Sequence, residues 1–260
     1  MTISSPNTPE TPDPTTAPRR RGRGPDLALV EETAVWLEVN GEPAVTWMCT
    51  PAMLEELAVG WLHGEGYIRT RRDLRSLRPC ASDLGFWAEV DEERVRAVRA
   101  EGRTPVLASG CGAVSVFLAD PATAPAGTRR GDPPDGGSLR GQFKALFASG
   151  TRYQETGGIH AAALSTGADL LYHAEDIGRH NAVDKVIGAA MLDDRNMSGL
   201  GLLVTGRISA ELAFKAARSD VAWIATPSVP STMAVAVAGR SGMTLVGRAV
   251  SATPQVHRPS

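Results

Sequence analysis

The chain has 260 residues, 42% of them hydrophobic and 22% charged, with a formal net charge of −2. That is the composition of one globular domain or two small ones. The charge balance gives no footing for non-specific nucleic-acid binding, and no apolar run reaches the ~18 residues of a membrane span. No apolar stretch near the N-terminus reads as a secretory signal. The three cysteines, Cys49, Cys80 and Cys111, are too few and too widely spaced for a disulfide framework. The expected setting is the cytoplasm, with reduced thiols.

Residues 1–25 are rich in Pro, Thr and Ser and end in Arg19-Arg20-Arg21-Gly22-Arg23. They have no apolar period and are expected to be a disordered tail with a solvated basic run. Residues 26–103 read as a small α+β unit. Residues 34–39 and 44–48 form a hairpin across Asn40-Gly41, a strong turn pair. Thr50 then caps a helix with Pro51 at its first position. Leu54, Leu57, Ala58, Trp61 and Leu62 are its buried stripe, and Gly64 and Gly66 end it. His63 at its last turn is explained by the helix dipole. Residues 86–90 and 94–98 read as a second hairpin around Asp91-Glu92-Glu93.

Residues 104–250 read as an α/β core. Val106 to Ala108 is a short strand, broken by Ser109-Gly110-Cys111-Gly112. Glycines on both sides leave the Cys111 sulfur without bulky neighbours, although a small buried cysteine in a tight turn has the same letters. Residues 121–137 look like an exposed loop, and Ser138 caps a helix carrying Leu139, Phe143, Leu146 and Phe147. Thr156-Gly157-Gly158-Ile159-His160 leads into a small-residue strand, with Leu170-Leu171-Tyr172-His173 as its antiparallel neighbour. Glu175-Asp176-Ile177-Gly178-Arg179-His180-Asn181 then opens a buried helix with Asn181 as its cap. From residue 202 to 247, strands alternate with helices, which argues for a mainly parallel sheet with helices on both faces. The end of the chain, 251–260, reads as a tail.

Two chemistries are open on these residues. A nucleophilic or sulfur-carrying Cys111 needs its thiolate, which Arg179, His180, His160, Arg207 and Lys215 would favour if their loops converge. A zinc-deaminase site needs a second cysteine after Cys111 and a glutamate two residues after His160. Neither is present, so no zinc site is expected. Four Gly- or Ser-bearing loops, at 156–158, 178–181, 206–209 and 230–232, stand at strand ends or helix starts. In an open α/β sheet such loops build the ligand crevice. Their N–H groups with Arg179 and Arg207 suit a polyanion such as a nucleotide.

The run from Glu175 through Asn181 to Ala182-Val183-Asp184-Lys185 resembles the signature of the formate dehydrogenase accessory sulfurtransferase (FdhD) family. Thr156-Gly157-Gly158-Ile159-His160, Ser109-Gly110-Cys111-Gly112 and Gly206-Arg207-Ile208-Ser209-Ala210-Glu211-Leu212 resemble it too. So do Thr50-Pro51 and Glu56-Leu57-Ala58-Val59-Gly60-Trp61-Leu62. The resemblance implies a cytidine-deaminase-like three-layer core without zinc, in a homodimer. It implies a sulfurtransferase that takes persulfide sulfur from a cysteine desulfurase onto Cys111. The sulfur then passes to the molybdenum (or tungsten) bis-molybdopterin guanine dinucleotide of formate dehydrogenase, for which GDP is a partial analogue. A cofactor chaperone without sulfur chemistry is the alternative. Many members carry Cys-x-x-Cys in the cysteine loop, where this chain has Val114. The segment the family gives to the cofactor falls on Arg248, Ala249, Val250, Ser251, Ala252 and Thr253, without the usual aromatic and basic pair. Gly178, Arg179, His180 and Arg207 complete the expected cofactor-binding set.

Overall fold

The computed structural model describes residues 28–100, 105–107, 114–116, 120–128 and 131–259. Cys111 and the tail 1–25 lie outside the described residues.

The chain begins with two antiparallel strands, β1 (Thr33–Val39) and β2 (Glu42–Cys49). Asn40 and Gly41 both have positive φ, 51° and 79°, as a tight two-residue hairpin turn requires. Helix α1 (Leu54–Glu65) follows, then β3 (Leu74–Pro79), β4 (Gly85–Val90) and α2 (Glu92–Ala100). The four strands form one sheet in the order β2-β1-β4-β3. Strands β5 (Pro105–Leu107) and β6 (Val114–Val116) pair antiparallel and bracket Cys111 in the chain.

Next come α3 (Gly136–Ser149), α4 (Thr151–Thr156), β7 (His160–Ser165), β8 (Leu170–Asp176) and α5 (Arg179–Leu192). The last part alternates: β9 (Gly201–Val204), α6 (Ala210–Arg218), β10 (Trp223–Ala225), α7 (Thr232–Arg240), β11 (Thr244–Gly247) and β12 (Gln255–His257). These strands make a six-stranded sheet in the order β12-β11-β10-β9-β7-β8. Strands β9, β10 and β11 are parallel, while β7, β8 and β12 join antiparallel. The sheet is therefore mixed, with its parallel part confined to the three strands that helical crossovers connect.

The two faces bury different side chains. Leu139, Phe143 and Leu146 of α3 pack with Ala161, Ala163, Leu203, Trp223 and Val246 on one face. Val183, Ile187, Leu212 and Val237 of α5, α6 and α7 pack with Ala162, Leu164, Leu202, Ile224 and Leu245 on the other. This is the expected three-layer α/β core with helices on both faces. The N-terminal unit docks on it through α1. At Gly60 an added Cβ would overlap the Asp184 carbonyl, and at Gly188 the Glu56 carbonyl. Two glycines thus let the backbones of α1 and α5 touch.

Several sequence expectations change. Residues 94–98 are helix α2, not a strand. Asp91 accepts from the Glu93 N–H at 2.9 Å and starts it, and Val95 and Val98, three apart, are the buried pair. Ser138 is not the cap of α3. Asp135, three residues earlier, accepts from the Gly137 and Ser138 N–H groups. Helix α1 starts at Leu54 after Met53, with φ 53°, so Thr50 caps nothing there. The expected tail 251–260 contains β12, which pairs with β11.

Candidate functional site

Because β8, β9, β10 and β11 run the same way and β7 runs against them, five segments reach one edge of the sheet. They are His160, Gly178-Arg179-His180, residues 205–209, residues 226–231 and residues 248–253. This is the carboxyl edge that an open α/β sheet offers to a ligand.

The signature run forms the floor of that edge. Asp176 Oδ1 accepts the Gly178 N–H at 2.7 Å and the Asn181 side-chain amide at 3.0 Å. Asn181 also donates to the Met48 carbonyl at 3.0 Å. With these bonds made, Gly178 rather than Asn181 is the N-cap of α5. The other Asp176 oxygen accepts the Thr50 N–H at 3.1 Å and meets the buried Lys185 ammonium. Lys185 donates to the Thr50 carbonyl at 2.9 Å, and Thr50 Oγ1 accepts the Ile177 N–H at 3.1 Å. All three polar groups of Thr50 are thus engaged by the core, which is why none caps α1. Glu175 is used differently: its carboxylate accepts the Arg152 and Tyr153 N–H groups and caps α4. Buried charges of this kind persist only when paired and hydrogen-bonded.

Lys215 is likewise committed. Its Nζ lies 2.8 Å from both Asp184 oxygens and is buried. Burial opposes its charge, but the Asp184, Glu65 and Glu211 carboxylates outweigh that and raise its pKa. Of the cations expected to serve a thiolate, Lys215 is therefore held by an ion pair below the edge.

Arg179, His180 and His160 do converge with the Gly206 turn. An added Cβ at Gly206 would stand 2.9 Å from Arg179 Cδ and 3.3 Å from His160 Cε1. His160 Nδ1 is 3.4 Å from Thr205 Oγ1, which also accepts the Ala161 N–H at 3.0 Å. His180 Nε2 is 3.0 Å from Ser209 Oγ, the N-cap of α6. The Gly206 carbonyl accepts from Thr226 Oγ1 at 2.6 Å. Burial lowers the His160 pKa, with Arg179 adding to the effect. Burial lowers His180 to about 4, against the pull of Glu211. Burial thus favours the neutral form of both rings.

Arg207 and Arg248 are exposed, whereas Arg179 is buried. Segment 248–253 continues the edge: the Arg248 N–H donates to the Ser228 carbonyl at 2.7 Å and the Ala249 N–H to Thr226 at 2.9 Å. Arg248 has φ 48°, a turn conformation that lets the chain leave β11. Ala249 is buried, while Val250, Ala252 and Thr253 are exposed. Ser251 presents its carbonyl to Arg140 at 3.4 Å. A cavity of about 460 Å³ adjoins this segment, lined by Ala252, Pro254, Val256, Arg140 and Arg258 among others. Sequence reasoning missed Thr205 and Thr226 as members of the edge, and it named Glu211 only as a letter of the run from Gly206 to Leu212.

The other two cysteines differ sharply. Cys49 is buried, and burial together with Asp176 pushes its thiol up to about 11. Cys80, after β3, is partly exposed, and the Ser82 hydroxyl lowers its pKa. Among the described residues no group of three or more His, Cys, Asp or Glu is placed to hold a metal ion. No helix among them is long and apolar enough to cross a membrane.

Fold and edge define a three-layer α/β protein whose polar motifs gather at the carboxyl ends of its parallel strands. The chain belongs to the FdhD/NarQ family, whose sequence model matches residues 30–259. It is 36% identical over 222 residues to the "Sulfur carrier protein FdhD" of Staphylococcus aureus strain MRSA252, covering 84% of this chain and 82% of that one. The protein of the same name from strain Newman is 35% identical over 223 residues, with the same coverage. A formate dehydrogenase accessory protein from Desulfotalea psychrophila has the same fold. Its TM-score is 0.69 at 23% identity, over 88% of this chain and 87% of that one.

Proposed function

We propose that this protein is a cytoplasmic, homodimeric sulfur carrier for formate dehydrogenase. In this reading Cys111 takes sulfur from a cysteine desulfurase and passes it to a molybdenum (or tungsten) bis-molybdopterin guanine dinucleotide, the substrate. Kinship to proteins named as sulfur carriers, over most of both chains, is the observation that carries it. In the loading step the Cys111 thiolate attacks the outer sulfur of the desulfurase persulfide. The S–S bond there breaks and the desulfurase cysteine leaves as its thiolate. A thiolate is the form that reacts, and the thiol of Cys49 is held too high to supply it.

The guanine dinucleotide would lie along the carboxyl edge. What supports this is the joining of the Gly178, Gly206 and Thr226 turns, and of segment 248–253, into one row by packing and hydrogen bonds. Arg207 and Arg248 stand exposed on it, and backbone N–H groups at a helix start suit phosphate. Isothermal calorimetry with GDP tests the ligand. Wild type is expected to bind. Arg207→Lys keeps the charge but loses the planar fork, and should weaken binding by about three- to tenfold. No heat from wild type at saturating GDP would refute the ligand assignment. Binding with no persulfide on Cys111 would instead favour a cofactor chaperone.

A further inference from the structure

We propose that His180 is a positioning residue: through Ser209 it holds the turn bearing Arg207 against the first turn of α5. The inference rests on the reading of this edge as an anion site, and one of its tests does not depend on that reading.

His180 is the second residue of α5 and is 8% exposed. Its Nε2 stands 3.0 Å from Ser209 Oγ. Ser209 Oγ also accepts the Leu212 N–H at 3.3 Å, as the N-cap of α6. One imidazole therefore ties the start of α5 to the start of α6. Between Gly206, packed on Arg179 and His160, and Ser209, held by His180, lie only Arg207 and Ile208. Ile208 is fully buried and bridges to Pro230. Arg207 is the one exposed residue of that turn, so its direction is set by these two anchors.

The charged and titratable groups facing the ring are Glu211, Arg179, Lys215 and His160. Glu211 Oε2 lies 3.6 Å from Nε2, is buried, and accepts no hydrogen bond among the described residues. Three of the four neighbours disfavour a positive ring, and burial does so more strongly. The neutral ring keeps one nitrogen proton and can share a hydrogen with the Ser209 hydroxyl in either sense. Position, not proton transfer, is what such a ring supplies at neutral pH.

Two variants separate position from bulk. His180→Phe keeps a ring but loses the nitrogen, whereas His180→Gln keeps an amide nitrogen near the Nε2 place. Limited trypsin digestion reads the turn directly, since Arg207 is a cleavage site; the exposed Arg240, followed by Ser241, serves as an internal reference. Cleavage after Arg207 should rise about three- to tenfold in His180→Phe, the worth of one buried hydrogen bond. It should return to within about twofold of wild type in His180→Gln, because the bond is restored. GDP affinity should fall and recover in parallel. Unchanged Arg207 cleavage in His180→Phe, or no recovery in His180→Gln, overturns the proposal. If cleavage responds as expected but wild type binds no GDP, the positioning role stands and the ligand assignment falls.

Discussion

Gly206 is where three distant stretches of the chain meet, and its missing side chain is what allows it. Arg179 Cβ and Cδ and His160 Cε1 occupy the space a methyl group would take. Gly206→Ala should push the Arg179 side chain aside and weaken GDP binding by about tenfold. Its melting temperature should stay within a few degrees of wild type, because a side chain rather than backbone gives way. Calorimetry and thermal melts on the same sample check this, and wild-type affinity in the variant would contradict it. The sequence made the glycine turns and both arginines visible. It did not show that Lys215 is taken by Asp184, thirty-one positions away, because a buried ion pair leaves no local pattern. Glu175 and Asp176 open the signature run, and both spend their oxygens on backbone N–H groups and Lys185.

At the scale of elements, the α1–α5 contact decides how the N-terminal unit sits. Gly188 faces the Glu56 carbonyl and the Gly60 N–H directly. Gly188→Ala should cost about 3 kcal/mol in urea unfolding, as overpacking against backbone does. Gly141 in α3 and Gly239 in α7 are exposed, with nothing within 4 Å of an added Cβ. Alanine at either should stabilise by about 0.5–1 kcal/mol, the helix-propensity gain alone. Equal effects at all three positions would show that the close approach does not matter. The period-2 and period-3.6 patterns identified most elements, including the crossovers of the parallel strands. Errors fell where two signals competed. Arg94-Val95-Arg96-Ala97-Val98 alternates like a strand, yet it also has the i, i+3 pair of a helix. Thr50, Ser138 and Asn181 each look like caps, but α1 starts after Met53 with no side-chain cap, Asp135 caps α3, and Gly178 is the N-cap of α5. Strand β12 has three residues and pairs with β11 across an irregular connection, so its own letters announce nothing.

At the scale of the whole molecule, two buried histidines bias stability with pH. Burial lowers His63, with Arg218 adding to it, and burial lowers His180; both reach about 4 from an ordinary 6.5. At these two sites the unfolded chain binds more protons between about pH 6.5 and 4, so each withdraws stability as pH falls through that window, while the buried Asp184, raised to about 7, works the other way. His63→Leu removes one such group. Wild type should lose on the order of 1–3 kcal/mol relative to the variant between pH 7 and pH 4.5. Urea midpoints at several pH values read this, and parallel curves would refute it. Deleting residues 1–25, which carry no apolar period, should leave the melting temperature within a few degrees of the full chain.

The central claim is that Cys111 carries the sulfur, and mass spectrometry of the intact chain tests it most directly. The protein is incubated with a cysteine desulfurase and cysteine, then alkylated and mapped by peptide. The account predicts one added sulfur atom on Cys111. It predicts none on Cys49, whose thiol is buried, and loading unchanged by Cys80→Ala. Sulfur found on Cys80 with Cys111 unmodified, or on no cysteine at all, would contradict it.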